Sequence, residues 1–141
     1  MSDRERAPRG VTQVARSFDP ADLRFEYGLD GVRLLPWPGL SAPFGGAYCI
    51  VRPRSCSEEH VNAPSDEDEL FLCFAGHAKV VIDDRALPAK PGDTFFIPRG
   101  VKHYVRNTSD EPFHFYAIWW NPGLATGYLQ EQARQPRAYS I

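Results

Sequence analysis

A histidine that follows a turn between two short apolar runs is the first candidate for chemistry in this sequence. Residues 92–107 read Gly-Asp-Thr-Phe-Phe-Ile-Pro-Arg-Gly-Val-Lys-His-Tyr-Val-Arg-Asn, and His103 lies just beyond the turn. Imidazole is a common ligand of divalent metal ions, and a strand of a small β-barrel can direct such a side chain inward. The segment therefore predicts one metal ligand, His103.

Two predicted strands must position this histidine. Residues 95–97 have the aromatic and β-branched character of a strand, residues 98–100 supply a Pro-Arg-Gly turn, and residues 101–105 resume an extended run. Because alternate side chains of a strand point to the same face, His103 and Asn107 are expected to share one face.

The rest of the sequence predicts short strands separated by turns. Hydrophobic residues make up 43% of the chain, and 13 prolines and 11 glycines favour turns over long helices. The pattern predicts strands at residues 23–27, 32–37, 46–52 and 113–120, an irregular segment at 53–68, a hairpin joining 70–74 to 78–82, and a helix at 124–134.

The spacing Gly-x5-Pro-x-Gly-x2-His-x3-Asn, from Gly92 to Asn107, resembles the second motif of the cupin superfamily in every position. The resemblance implies an all-β fold, a single-domain cupin jelly-roll β-barrel with a short C-terminal helix or arm. No internal repeat is present, so one barrel is expected. We expect residues 1–20 to form a flexible N-terminal leader and residues 21–141 to form the cupin domain.

The first motif of the superfamily is represented only in part. Glu69 and Gly76 have the spacing of its Glu and second Gly, and His60-Val61-Asn62 corresponds to its His-x-His pair. The departures are Asn62 in place of the second histidine, Arg54 in place of the first glycine, and a longer segment before Glu69.

The resemblance implies a set of metal ligands formed by His60, Asn62, Glu69 and His103. Two imidazoles and one carboxylate suit one divalent metal ion, with zinc as our first choice and Fe(II), Mn(II) or Ni(II) as alternatives. No other cofactor is expected. In such a site Glu69, Tyr116 or Tyr48 is predicted to move a proton as the catalytic residue.

Three arginines near the motifs are candidates for contacts with a substrate. Arg52, Arg54 and Arg106 flank the motif strands, and an arginine at the barrel mouth could bind a substrate carboxylate with two hydrogen bonds.

A second resemblance concerns short apolar motifs, Pro43-Phe44-Gly45 and Ile118-Trp119-Trp120. They are similar to those of cupin domains fused to methionyl-tRNA-synthetase-like domains in enzymes that build N–N bonds in natural products. This likeness implies a zinc site that acts as a Lewis acid on a small metabolite without redox chemistry. The reaction would be a rearrangement, cyclisation or isomerisation, possible forms of which include N–N bond formation. Natural-product metabolism is the expected setting.

Two other functions fit the same residues. Two histidines and one carboxylate also suit non-haem Fe(II), so a cupin dioxygenase is one alternative. The incomplete first motif is also compatible with a barrel that binds a small molecule without catalysing a reaction.

Composition and charge limit the classes of binding partner and the cellular location that we expect. The net charge of −2 and the absence of a basic stripe argue against nucleic acid or an anionic membrane as a partner. With no long apolar segment and no apolar secretory core near the N-terminus, we expect a cytoplasmic protein. Three cysteines, an odd number, argue against a disulfide framework. A homodimer is expected, with the apolar residues 32–44 as a candidate interface.

Overall fold

Two antiparallel sheets form the molecule in this computed structural model, which describes residues 14–37, 43–62 and 66–134. The larger sheet has the spatial order β1 (Arg24–Glu26), β2 (Leu29–Leu35), β3 (Phe44–Val51), β10 (Phe113–Trp120), β5 (Asp68–Ala75) and β8 (Thr94–Ile97). The smaller sheet has the order β4 (Ser55–Cys56), β9 (His103–Asn107), β6 (Ala78–Ile82) and β7 (Arg85–Ala89). The predicted all-β jelly roll is confirmed.

The core lies between the two sheets, where strands such as β5, β9 and β10 bury every second residue. In β5 the buried positions are Glu69, Phe71 and Cys73, and in β10 they begin with Phe113 and Phe115. Fully burying a phenylalanine side chain contributes about 1.5–3 kcal/mol to folding. The same alternation that builds the core therefore directs the carboxylate of Glu69 into the interior.

The predicted hairpin between residues 70–74 and 78–82 is wrong. Strand β5 pairs with β10 and β8 in the larger sheet, whereas β6 pairs with β7 and β9 in the smaller one. The chain crosses between the sheets at Gly76, whose φ of +82° suits glycine, and a Cβ at Gly76 would collide with the carbonyl oxygen of Pro112. As a result β5 has a partner on each side, and Glu69 lies between Trp119 and Ile97.

A turn held by Asn107 closes the end of β9. The buried Asn107 amide donates to the carbonyl oxygens of Val51, Arg52 and Glu111, at 3.2, 3.2 and 2.8 Å. Its Oδ1 accepts from the backbone N–H and the hydroxyl of Ser109. The last residue of the second motif therefore organises the fold.

A single α-helix, α1 (Pro122–Arg134), follows β10 within the described residues. The Oδ1 of Asn121 accepts a hydrogen bond from the backbone N–H of Gly123 at 2.8 Å, which caps the first turn. The helix begins two residues before the predicted position. Over the described ranges, none of the helices is long and apolar enough to cross a membrane.

The expected N-terminal leader lies partly outside the described residues, which begin at Val14. Phe18 stacks on Tyr48 of β3, with ring centroids 4.4 Å apart. The segment before β1 therefore packs on the outer face of the larger sheet, opposite the core.

Candidate functional site

His103 and Glu69 form a buried pair that joins the two sheets. The Nε2 atom of His103 lies 3.1 Å from Oε1 of Glu69, and the two side chains are only 1% and 9% exposed. Although the atoms are close, their geometry does not make a hydrogen bond, and both lack a hydrogen-bond partner among the described residues. Leaving such atoms buried and unpaired costs about 1–3 kcal/mol each, so the pair is a candidate site for a further binding partner.

The orientation of His103 is set from its other side. Its Nδ1 lies 3.0 Å from the carbonyl oxygen of Val101, which can only accept, so Nδ1 carries the proton. In the neutral imidazole, Nε2 then presents a lone pair toward Glu69. Metal-binding histidines commonly have this arrangement, with the second ring nitrogen held by a backbone carbonyl.

His60 is held beside His103 by backbone hydrogen bonds. The N–H of each residue donates to the carbonyl oxygen of the other, at 3.1 and 3.0 Å, and the ring centroids lie 4.5 Å apart. His60 Nδ1 lies 3.1 Å from the carbonyl oxygen of Glu58. His60 is exposed, however, so it borders the pair from the solvent side.

Asn62 lies further along the same segment and is half-buried. Its side-chain nitrogen lies 3.5 Å from the carbonyl oxygen of Glu67, which is a long hydrogen bond. Within residues 14–37, 43–62 and 66–134, no three His, Cys, Asp or Glu side chains come close enough together to hold a metal ion. The structure therefore brings Glu69 and His103 together, with His60 in ring contact, and the four-residue ligand set stays a prediction.

The donor pair nevertheless fits a divalent ion. Two ligand atoms that each lie about 2.0–2.2 Å from a tetrahedral zinc ion are roughly 3.3–3.5 Å apart. The 3.1 Å separation of His103 Nε2 and Glu69 Oε1 is close to that value, and neither atom has a hydrogen-bond partner among the described residues. An ion shared by the two atoms would remove both unsatisfied groups.

A cavity of about 630 Å³ opens beside Glu69. Its apolar wall is formed by side chains of three adjacent strands, Ala47, Cys49, Phe71, Phe115, Ala117 and Trp119. His60 and Asn62 lie at its margin, while His103 lies behind Glu69 and does not line it. The volume suits one small molecule.

Glycine makes room for the largest side chain in this wall. Gly45 of β3 pairs with Trp119 of β10, and a Cβ at Gly45 would collide with the indole ring. Trp119 can therefore lie flat against the backbone of β3 at the cavity, where a larger residue at position 45 would push it away.

Ionisable groups at the cavity have altered proton affinity. Burial, followed by the charges of Asp66 and Glu69, raises the pKa of Glu67, while Arg33 acts in the opposite direction. Burial, and then the Glu69 carboxylate, raises the pKa of the Cys49 thiol to about 12. Cys49 is therefore a protonated, apolar part of the wall. All three cysteines are free thiols, and of these only Cys56 is exposed.

Tyr48 and Tyr116, predicted as catalytic residues, lie on the outer face of the larger sheet. The Tyr48 hydroxyl is 2.9 Å from Nδ1 of His114, and its ring contacts the edge of Tyr116. Burial lowers the pKa of His114. The sheet separates these side chains from Glu69, so the geometry does not support the predicted role for the two tyrosines.

The three arginines considered as substrate contacts do not line the cavity. Arg52 makes two 2.9 Å hydrogen bonds to Asp30, and Arg54 bonds Asp110 at 2.7 Å. Arg106 alternates with the buried residues of β9 and faces away from the core.

Two other arginines, Arg24 and Arg33, line the cavity instead. The sequence contained a usable signal for them. Each lies in a predicted strand, and alternation along those strands would have assigned a face to each residue.

Comparison with known proteins gives consistent results. A family model described as a cupin domain matches residues 47–119. The solved structure of the plu4264 protein from Photorhabdus luminescens is 42% identical, covering 86% of this chain and 98% of that one, with a TM-score of 0.72. A cupin 2 conserved barrel domain protein from Salinispora arenicola is 36% identical, covering 84% and 97%, with a TM-score of 0.70.

Among curated proteins, the glucose-6-phosphate isomerase of Pyrococcus horikoshii is 31% identical over 65 residues, which is 43% of this chain and 34% of that protein. Protein SchB of Streptomyces halstedii is 35% identical over 72 residues, or 51% of this chain and 50% of that protein. The chain thus spans a third to a half of the length of these relatives. Because the matched family model covers more than half of the 141 residues and the barrel has the expected strands, this chain belongs to the cupin family.

Proposed function

We propose that this chain is a metal-dependent cupin enzyme that acts on a small metabolite by redox-neutral Lewis-acid chemistry. The reaction would be a rearrangement, cyclisation or isomerisation, with N–N bond formation in natural-product metabolism as one form. The observation that carries the proposal is the buried pair of His103 Nε2 and Glu69 Oε1, which lie 3.1 Å apart next to a cavity of about 630 Å³. Neither atom has a hydrogen-bond partner in the part of the chain that the structure describes.

Glu69 and His103 would hold the ion, and His60 and Asn62 would complete the site from the cavity margin. Zinc is our first choice, with Fe(II), Mn(II) and Ni(II) as alternatives for the same donors. When bound, such an ion would polarise a carbonyl group or stabilise a deprotonated heteroatom. His60 is exposed and tied to its neighbour through backbone atoms, so its ring can reorient without disturbing the core.

Side chains of the barrel would exclude water from the substrate and transfer a proton in such a reaction. Phe71, Phe115 and Trp119 exclude water from one wall and surround a substrate with apolar surface. Glu69 is the candidate proton carrier because its carboxylate lies both at the cavity and beside His103. The P. horikoshii relative is named an isomerase, which is consistent with redox-neutral chemistry in this family.

Two alternatives each have an observation in their favour. His60, His103 and Glu69 are two imidazoles and a carboxylate, which is the donor set of non-haem Fe(II) dioxygenases. The lack of a converged group of three ligand side chains in the described ranges favours a barrel that binds a small molecule without a metal.

We also propose that the protein is a homodimer. Part of the stretch considered as an interface, residues 38–42, lies outside the described residues. The outer face of the larger sheet supports the proposal independently, since Phe74 and Phe96 are 50% and 51% exposed there.

Metal analysis of protein purified without added ions, in air and under nitrogen, tests the function. We expect one zinc per chain, lost in His103→Ala and Glu69→Ala and retained in His77→Ala, which replaces an exposed histidine of the turn after β5. Stoichiometric iron in the anaerobic sample would favour the dioxygenase. Absence of metal, with an unchanged melting temperature on adding Zn²⁺, Fe²⁺, Mn²⁺ or Ni²⁺, would favour the non-catalytic barrel.

A further inference from the structure

Arg24 and Arg33 approach the cavity from two neighbouring strands. Arg24 of β1 pairs with Gly31 of β2, and Arg33 lies two residues further along β2. Alternate residues of a strand share a face, so the two arginines are diagonal neighbours on one face of this ribbon. Gly31 has no side chain, which leaves space between them, and both arginines line the cavity.

Neither arginine forms an ion pair within the described residues, although the positive charge of Arg33 opposes the rise in the pKa of Glu67. Over the described ranges the arginine ion pairs join Arg52 to Asp30, Arg54 to Asp110 and Arg134 to Glu131. Neither Arg24 nor Arg33 has a carboxylate oxygen within 4.0 Å or makes a side-chain hydrogen bond in that part of the chain. Among the described residues, the N–H groups of both guanidinium groups are therefore free of hydrogen bonds.

Trp119 holds Arg33 in place. The guanidinium carbon of Arg33 lies 5.5 Å from the centre of the Trp119 ring. A cation over an aromatic face is attracted to the ring, and a stacked guanidinium still presents its N–H groups at the edge. The stacking thus orients Arg33 while leaving the edge that binds carboxylate or phosphate with two hydrogen bonds.

A series of contacts runs from Arg33 through the indole ring of Trp119 to the buried pair. Trp119 is the cross-strand partner of Glu69, whose Oε1 in turn lies 3.1 Å from His103. Cross-strand partners have Cβ atoms about 4.5–5.5 Å apart. A molecule with its anionic group at Arg33 would therefore extend across Trp119 and bring its next few atoms to Glu69.

The carboxylates of the cavity restrict where an anion can bind. Asp22, Glu26, Glu67 and Glu69 also line it. Glu26 alternates with Arg24 along β1, and Arg33 interacts electrostatically with Glu67, so these carboxylates compete with an anionic ligand for the two arginines. They also repel a negative group from any part of the wall without an arginine, so an anion is expected to bind beside Arg24 and Arg33.

We infer that Arg24 and Arg33, backed by Trp119, form an anion-binding subsite, and that the substrate is a small carboxylate or phosphate monoester whose reactive group reaches Glu69. This inference rests on the proposed function for its view of Glu69 as part of the reacting centre. The anion contact itself depends only on the arginines.

Binding of three probes to the full chain tests the subsite: benzoate, inorganic phosphate and benzyl alcohol, the last as the uncharged counterpart of benzoate. Affinities come from calorimetry, and the indole N–H signal of Trp119 in NMR, assigned with Trp119→Phe, reports where each probe binds. We expect benzoate or phosphate to bind at least about tenfold more tightly than benzyl alcohol and to shift the Trp119 signal. Preference for benzoate indicates a carboxylate substrate, and preference for phosphate indicates a phosphate ester.

The variants Arg33→Met and Arg24→Met remove the guanidinium group and its charge but keep an unbranched apolar side chain. Arg33→Met is expected to weaken anion binding about tenfold or more and Arg24→Met by a smaller factor, whereas Arg85→Met, at an exposed arginine of β7 away from the cavity, should have no effect. Arg33→Lys should retain part of the affinity, since the charge remains and the planar fork is lost. Equal binding of anions and benzyl alcohol by the wild type, or unchanged anion binding in the correctly folded Arg33→Met protein, overturns the inference.

Zinc titration of the same proteins separates the two proposals. The subsite predicts that Arg33→Met binds as much zinc as the wild type, and that His103→Ala still binds the anion. A wild type that binds the anion through Arg33 but takes up no metal would refute the proposed function and leave the subsite intact. Metal uptake by a wild type that binds all three probes equally would refute the anion-binding subsite and leave the proposed metal-dependent function intact.

Discussion

The two histidines of the candidate site are held in very different ways. His103 lies in β9, where His103, Val105 and Asn107 are each about 1% exposed and the strand is paired with β6 and β4. His60 belongs to an exposed segment that contacts β9 through an isolated bridge at His103 and, three residues earlier, through hydrogen bonds between Ser57 and Val105. One half of the site is therefore fixed by core packing, and the other can adjust when a ligand arrives. The difference matters because His103 can hold an ion in a fixed position while the ring of His60 moves to complete its coordination.

Replacing Asn107 should cause the largest loss of stability, because the position of β9 and His103 depends on the turn that Asn107 holds. In Asn107→Ala three carbonyl groups lose a donor and Ser109 loses its acceptor, within a buried turn. We expect a loss of about 3 kcal/mol in the free energy of unfolding, measured by urea denaturation.

Asn62→Ala is the matched control in the adjustable half. It removes only one long hydrogen bond and should change the free energy of unfolding by less than about 0.5 kcal/mol. Similar losses in the two variants would show that the two halves are equally rigid.

The connection between the halves is the next target. The Ser57 hydroxyl accepts a hydrogen bond at 2.8 Å from the N–H of Val105, inside β9. Ser57→Ala leaves that buried N–H without its partner and should cost about 1–2 kcal/mol. Hydrogen exchange of the amide at His60 should accelerate in this variant, while that of Val80, in the core of β6, should follow only global stability. Unchanged exchange at His60 would mean that the bridge to His103 alone holds the segment.

Glu69→Gln tests whether the buried pair of Glu69 and His103 is unsatisfied in the metal-free protein. The amide of glutamine can donate to the lone pair of His103 Nε2, which the carboxylate cannot do. We expect metal-free Glu69→Gln to be as stable as the wild type or about 1 kcal/mol more stable in urea denaturation. The stabilisation of the wild type by Zn²⁺ should be absent in the variant. A large loss of stability without metal would instead indicate a favourable ion pair between Glu69 and a protonated His103.

Thiol labelling compares exposed and buried positions with the smallest perturbation. Burial raises the pKa of Cys49 to about 12 and that of Cys73 to about 11, so both remain protonated and unreactive at pH 8. We expect iodoacetamide to label only Cys56 in the folded chain and all three thiols in urea, by mass spectrometry. Because these thiols hold their protons more tightly when folded, they contribute stability at neutral pH that is lost as the pH rises from about 9 toward 12. Labelling of Cys49 at pH 8 would show that the core opens readily.

Strand positions were the most predictable part of the fold. Alternation assigned His103 and Asn107 to one face of β9, and the same rule places Glu69 on the inner face of β5, because side-chain direction in a strand depends only on local geometry. Strand partners were less predictable. The segments that flank Gly76 read as a hairpin, yet they belong to different sheets because each has better partners that are distant in the sequence.

The candidate substrate contacts were harder to predict for the same reason. Arg52 and Arg54 stand near the motif strands in sequence, but in the structure they pair with Asp30 and Asp110. Arg33 is far from the motif histidine in sequence and reaches the cavity because β2 lies beside β3 in the larger sheet.

The sequence by itself determined the jelly-roll barrel, through its resemblance to the cupin motif, and the inward direction of His103. The direction of a strand side chain follows from turn chemistry and two-residue alternation, which act over a few neighbouring residues. Only the tertiary structure decided that Glu69 meets His103 at 3.1 Å, that Tyr48 faces away from the cavity, and that Arg24 and Arg33 line it without an ion pair among the described residues. Those facts depend on which strands pair and how two sheets face each other, and that is settled by packing across the whole chain.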